Sequence, residues 1–431
     1  MYHSYQNDLL AELTASKLIQ LAQQFDVSAV LDSNGYDDKY GKYEWIAAFG
    51  VEAEVESNSN SFAALALFHQ KYKWTFGGFG YDLKNQLENL SSNYQNKTGF
   101  PDLYFFAPQY IFIKERNSSV VQLLSTKKLE ELEIEELIRV KTVTSIQEKQ
   151  SARLQPRISK SDYLEKVRSL KNHIQLGDIY EVNFCQEFYD EQAVINPFQV
   201  METLNDQSPM PFSTFFKKNE IYLMGATPER FLCKRGEKII AQPIKGTAKR
   251  GATEKEDQEF KTVLRHDLKE QNENVMIVDL MRNDLSKIAS RGSVEVEELF
   301  GVYTFPQVHQ MISTVTANKS PECTSLDVIE AAFPMGSMTG APKVRAMELI
   351  DEHEVSRRGW YSGSVGYFSP DDDFDFNVII RSLQYNPNTN YLSLTVGGAI
   401  TAKADPDKEY EECLLKAKAI FNVLNPNQHV S

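Results

Sequence analysis

Residues 375–385 read DFNVIIRSLQY, and their alternation decides the class of the fold. In an extended chain Phe376, Val378 and Ile380 fall on one face, and Asn377, Ile379 and Arg381 on the other. Residues 391–396 alternate again, and Asn386-Pro387-Asn388-Thr389-Asn390 between them is turn material, so the two runs predict an antiparallel hairpin. Outward from this hairpin, residues 273–288 and 408–424 carry helical spacing. Residues 127–140 (KKLEELEIEELIRV) set leucines and isoleucines among acids, as on a surface helix. Strand and helix signals are mixed throughout, which predicts an α+β protein with substantial antiparallel sheet. Residues 142–157 turn polar and lose periodicity like a linker. This places a boundary near 150, dividing an N-terminal lobe (1–150) from a C-terminal domain (155–425).

Composition narrows the function. The chain has 431 residues, 42% hydrophobic and 25% charged, as in an ordinary globular protein. Its 46 basic and 60 acidic residues give 46 − 60 = −14, which argues against nucleic-acid binding but allows a small anionic substrate in a local basic pocket. Cys185, Cys233, Cys323 and Cys413 are scattered without a CxxC pair, which argues against zinc and for a reducing, cytoplasmic setting. No secretory signal opens the chain, and no apolar run approaches the roughly 18–20 residues of a membrane span.

Several groups could carry chemistry. Glu270 and Glu273 share one face of a helix, and Glu409 and Glu412 repeat that spacing on the last helix, with Lys416 four residues on. Four carboxylates brought together would need a cation, and Mg²⁺ prefers oxygen. Separately, each pair reads as a solvated face. The run 337–343 (SMTGAPK) ends a small-residue loop at a proline suited to a first helical turn, where free N–H groups hold a carboxylate or simply a cap. Gly397-Gly398 after a strand admits close approach of a ligand, or a bulge. Lys245 ends an apolar run, where desolvation would lower its pKa and make the amine nucleophilic; the plain alternative is a lysine reaching solvent. Glu229 needs burial to serve as a general acid; beside Arg230 it could equally form a surface ion pair.

Ordered motifs then resemble one family. They are GDIYEVNF (177–184), ATPERF (226–231), QPIKGTAKRG (242–251), NENVMIVDLMRNDL (272–285), FPQVHQMISTV (305–315), FPMGSMTGAPKVRAMELI (333–350), YSGSVGYF (361–368), FNVIIRS (376–382), VGGAIT (396–401) and DPDKEYEECLLKA (405–417). VLDS (30–33), GGFGYDL (77–83) and PDLYFF (101–106) match more loosely. Together they resemble the chorismate-binding enzymes, which include anthranilate, aminodeoxychorismate, isochorismate and salicylate synthases. The resemblance implies the anthranilate synthase component I-like fold, a large antiparallel β-sandwich surrounded by helices. It implies Mg²⁺ at Glu273 and Glu412, assisted through water by Glu270 and Glu409. Gly246, Thr247, Ser337, Tyr361, Arg381, Gly397, Gly398 and Lys416 would hold chorismate, with Glu229 as general acid on the 4-hydroxyl.

The resemblance also sorts the branches. Anthranilate synthases, the second choice, usually read Pro-Ile-Ala-Gly-Thr, whereas the aminodeoxychorismate branch carries lysine as in Pro243-Ile244-Lys245-Gly246-Thr247. That branch aminates chorismate with ammonia from a separate glutaminase subunit, a transaminase-class reaction toward p-aminobenzoate and folate, and a lyase completes the elimination. Lys245 would be its nucleophile at C2. Two positions depart: Glu181 stands where aminating branches usually have glutamine, and Gln310 where a histidine often serves ring chemistry. Leu31, Ser33, Pro211 and Phe212 resemble the family's tryptophan pocket.

Overall fold

The computed structural model describes residues 2–140 and 151–424. The hairpin forms as the alternation predicts: Ser382–Asn386 pairs antiparallel with Tyr391–Thr401, Leu383 opposite Leu394. Asn386 closes the turn by accepting the Asn388 N–H on its side-chain oxygen (3.1 Å), and Asn390 takes a left-handed φ of 53°. The run feeding the hairpin differs from the sequence reading. Residues 375–385 form two strands, Phe374–Val378 and Ser382–Asn386, because Arg381 turns the chain with a φ of 49°. Alternation reports which side chains are apolar and is blind to a single backbone reversal.

That reversal carries the chain from one arm of a branched sheet to the other. Leu103–Glu115 is the branch point. It pairs along one edge with Tyr43–Ser57, and along the other with Thr75–Phe79 near its start and Val121–Ser125 near its end. From Tyr43–Ser57 the first arm runs through Val27–Asp32, Phe212–Lys218, Ile221–Thr227, Ser382–Asn386 and Tyr391–Thr401 to Glu181–Asp190. From Thr75–Phe79 the second runs through Ser364–Phe368, Phe374–Val378, Arg230–Arg235 and Lys238–Gln242 to Val308–Asn318, which also pairs with Ile244–Lys249 and Glu295–Thr304. All these ladders are antiparallel.

Three buried apolar clusters fill the layers. Phe76, Tyr104, Phe106, Phe216, Leu223, Trp360 and Tyr367 draw on both arms and form the sandwich interior. A second cluster joins the first arm to Lys160–Leu176, Pro197–Gln207, Lys343–His353 and Pro406–Leu424. A third joins the second arm to Leu268–Ser286 and Ser325–Ala332. This is the expected β-sandwich surrounded by helices. The surface helix forms over Glu131–Ile138, with Ile134 buried and Leu132 exposed. Most of the aperiodic run 142–157, including the boundary near 150, lies outside the described residues, and its end, Gln155–Pro156, pairs with Phe188 and Tyr189. Strands from before and after 150 interleave in both arms. No helix among the described residues is long and apolar enough to cross a membrane.

Trp360 welds the two sequence halves. Its fully buried indole stacks on Phe100 at 4.4 Å and donates to the Pro101 carbonyl (2.7 Å). Trp360→Ala removes both and is expected to cost about 3–5 kcal/mol, read as a lower urea midpoint at unchanged slope.

Candidate active site

The chain crosses between the arms twice at the same end of the sandwich, once at Pro228-Glu229 and once at Ile379-Ile380-Arg381. The two crossings are hydrogen-bonded to each other: Val378 N–H donates to the Glu229 carbonyl (3.0 Å) and Ala226 N–H to the Arg381 carbonyl (3.2 Å). Glu229 is thereby held inside the protein, 5% exposed, where it accepts the Ser337 hydroxyl at 2.6 Å. Burial raises its pKa to about 7, although the Ser337 hydrogen bond and the charges of Lys245 and Arg381 pull the other way. The neighbouring Arg230 does not pair with it. Arg230 turns to Asp38 and Asp375 (2.5 and 2.9 Å), so the surface ion pair that the sequence left open does not form. Arg381 makes no ion pair or side-chain hydrogen bond among the described residues, and burial lowers its pKa against the pull of Glu229.

Lys245 corrects one expectation. Its side chain is buried, 10% exposed, as the apolar run implies. Burial does press its pKa down, but the charge and hydrogen bond of Glu181 outweigh this and leave it raised. Nζ donates to Glu181 Oε1 (2.5 Å), while Glu181 Oε2 is buried without a partner. The sequence marked position 181 as a departure without giving Lys245 its counter-ion. Beside it Gly246 has a φ of +90°, and a Cβ there would stand 3.0 Å from Glu270 Oε2. Thr247 is exposed and pairs in register with the buried Gln310.

The floor is the Tyr391–Thr401 strand. Gly397 and Gly398 face Cys185 and Phe184 in unbroken register, which removes the bulge reading. A Cβ on Gly397 would lie 2.4 Å from Cys185 Sγ, and one on Gly398 3.4 Å from Glu409 Oε2 and 3.8 Å from Lys416 Nζ. Lys416 donates to the Gly397 carbonyl (2.9 Å) and pairs with Glu412 (2.8 Å). Tyr361 is buried with its hydroxyl 3.6 Å from Cys185 Sγ. Pro342 sits at the N-cap of the Lys343–His353 helix, one position before the first turn predicted for it.

The two acidic helices do meet. Lys269 Nζ lies 3.8 Å from Glu273 and 4.0 Å from Glu409, drawing the buried carboxylates together. Burial raises their pKa values to about 7 and about 6. Glu273 Oε1 is buried without a hydrogen-bond partner. Among the described residues no three His, Cys, Asp or Glu side chains stand ready-made as a metal-binding group. An all-oxygen donor set with an unsatisfied buried carboxylate fits a hard cation that keeps most of its waters and takes one or two direct carboxylates. Lys269 escaped the sequence reading although its i,i+4 spacing to Glu273 was visible. Away from this site, Leu31, Ser33, Pro211 and Phe212 line one cavity of about 60 Å³, next to a larger one of about 370 Å³ that shares Asp38, Pro211, Phe212 and Arg230.

The pattern of the chorismate binding enzyme family matches residues 24–422, and the chain belongs to that family. It is 35% identical to aminodeoxychorismate synthase component 1 of Escherichia coli over 352 residues, 81% of this chain and 76% of that protein. It is 41% identical over 269 residues, 62% of this chain, to a probable chloroplastic aminodeoxychorismate synthase of rice, and spans only 30% of that protein's length. The fold is that of anthranilate synthase component I from Streptococcus pneumoniae, with a TM-score of 0.76, 24% identity, and coverage of 89% of this chain and 93% of that one.

Glu229 is expected to hold its proton up to about pH 7. Difference infrared spectroscopy against Glu229→Gln checks this through the protonated carboxyl band. Ser337→Ala, which removes a donor to the ionised form, moves that titration to higher pH.

Proposed function

We propose that this chain is a cytoplasmic aminodeoxychorismate synthase component I, converting chorismate and ammonia to 4-amino-4-deoxychorismate. The observation that carries the reading is Lys245, a buried amine paired with Glu181 and within electrostatic reach of Glu229 and Glu273. Ammonia comes from a separate glutaminase subunit, and a separate lyase consumes the product. Glu273 and Glu412, assisted by Glu270 and Glu409, would hold Mg²⁺, which would supply counter-charge to a substrate carboxylate. The Arg381 guanidinium offers a charged fork for a carboxylate, and Tyr361, Ser337, Thr247, Lys416 and the backbone of Gly246, Gly397 and Gly398 frame the ring.

In this reading Lys245 first gives up a proton, for which Glu181 is the adjacent acceptor. The neutral amine forms a bond to C2 as the ring double bonds shift and the 4-hydroxyl leaves as water with the proton of Glu229. Ammonia then attacks C4, the shift reverses, the C2–N bond breaks, and the surplus proton returns to Glu229. A protein nucleophile splits one hard displacement into two easier ones.

Product analysis with chorismate, Mg²⁺ and ammonium tests the assignment. Aminodeoxychorismate should form with ammonium, not with glutamine alone, and EDTA or Glu273→Ala should stop it. Glu229→Gln should slow turnover about 10²–10⁴-fold. Lys245→Ala should lose the 4-amino product and shift toward 2-substituted compounds. A Lys245→Arg variant running near the wild-type rate rejects covalent catalysis, because arginine keeps the charge and not the nucleophilicity.

The cavity at Leu31, Ser33, Pro211 and Phe212 is proposed to take tryptophan, through resemblance to the family's pocket. Calorimetry should detect heat on adding tryptophan, and Ser33→Trp, which fills the space, should abolish it.

A further inference from the structure

Arg358 and Glu354 form a buried ion pair just beyond the Lys343–His353 helix, 4% and 6% exposed. The guanidinium makes five hydrogen bonds, as many as its N–H donors allow. Nε and Nη2 grip Glu354 (2.9 and 2.6 Å), Nη2 also reaches the Asn183 carbonyl (2.8 Å), and Nη1 reaches the Met338 carbonyl (2.7 Å) and Ser362 Oγ (3.2 Å). Glu354 Oε1 also accepts the Cys185 N–H (2.9 Å), and the guanidinium lies 4.5 Å from the Tyr81 ring centroid.

Each anchor sits next to a site residue. Met338 follows Ser337, whose hydroxyl meets Glu229, and Ser362 follows Tyr361. Asn183 and Cys185 stand opposite Ala399 and Gly397 in register. One planar ion thus ties together three segments: its own following turn at Ser362, the loop at Met338, and the distant strand at Asn183. Burying two charges is costly and rarely justified by stability alone. An apolar pair in their place would strand the Asn183 and Met338 carbonyls and the Cys185 N–H without partners.

We propose that the Arg358–Glu354 pair is the positioning device of the chorismate site, fixing the Ser337 hydroxyl, the Tyr361 phenol and the Gly397-Gly398 floor in one frame. The inference rests on the proposed function for its substrate and on the hydrogen bonds above for its geometry. Lysine at 358 keeps the charge but lacks the planar fork, so it cannot serve all three segments together. Glutamine at 354 keeps an acceptor for Cys185 and loses the ion pair.

The test compares wild type, Arg358→Lys, Glu354→Gln, Ser337→Ala and the Arg358→Lys/Ser337→Ala double variant, each shown to be folded by circular dichroism. Misplacement by about 1 Å can cost up to about 100-fold, so the KM for chorismate should rise about 10- to 100-fold in Arg358→Lys while the KM for ammonium stays near wild type. The double variant should lose less than the product of the single losses, as for groups acting through one contact. Hydrogen exchange without substrate reads the frame independently. Amides of residues 336–341, 183–185 and 361–363 should exchange faster in Arg358→Lys, while those of the Tyr43–Ser57 strand are unchanged. Absence of chorismate turnover by wild type would reject the proposed function and leave the exchange result to decide the positioning role. Unchanged exchange, an equal rise in both KM values, or a folded Arg358→Lys variant with wild-type KM for chorismate would overturn the inference.

Discussion

The pair of hydrogen bonds between the two crossings, Val378 to Glu229 and Ala226 to Arg381, is the constraint on which the site depends. A sandwich whose arms were connected elsewhere would leave this end as ordinary surface loops. Because both crossings fall here and bond to each other, a carboxyl and a guanidinium are carried inward on backbone that the sheet already holds. The Glu229 side chain then needs only the Ser337 hydroxyl, and Arg381 makes no side-chain hydrogen bond among the described residues.

The resulting interior is rich in ionisable groups. Glu181, Glu229, Glu273, Lys245 and Arg381 all lie within or against the same end of the sandwich, and their charges couple. Burial pushes the Glu229 and Glu273 carboxyls up and would push the bases down. The direct Glu181 contact reverses that for Lys245, whereas Arg381, without such a contact, stays lowered. At Glu229 and Glu273 desolvation outweighs the Ser337 hydrogen bond and the Lys269 charge, whereas at Lys245 the short ionic contact outweighs desolvation. Unsatisfied atoms at Glu181 Oε2 and Glu273 Oε1 are costly in a finished interior, but they are suited to a site that a ligand completes.

Much of this was legible in the sequence, for physical reasons that differ from residue to residue. The hairpin after Arg381 was visible because turn chemistry and alternation coincide there. The bend at Arg381 was not, since left-handed backbone leaves no pattern in side-chain polarity. The pairing of Glu270 with Glu273 came from helix geometry, but the meeting of their helix with the last one depends on tertiary packing and on Lys269. Lys245 was marked by its apolar surroundings, and its protonation was misjudged because its counter-ion lies 64 residues away in sequence. Arg358 and Glu354 look like an ordinary charged turn in the sequence, and only the fold shows that their partners include the Met338 carbonyl and backbone groups of the distant Glu181–Asp190 strand.

The shared strand Leu103–Glu115 has a consequence for how the chain is made. Synthesis from the N-terminus delivers this strand and its neighbours long before Phe212–Lys218 and Ser364–Phe368 exist to cover the edges of Val27–Asp32 and Thr75–Phe79. Those edges are apolar and unpaired in the nascent chain, the kind of surface that templates aggregation. Pairings this distant also close large loops and form late. Folding to completion therefore waits for nearly the whole polypeptide, and the nascent N-terminal third has most need of protection by chaperones while the rest emerges.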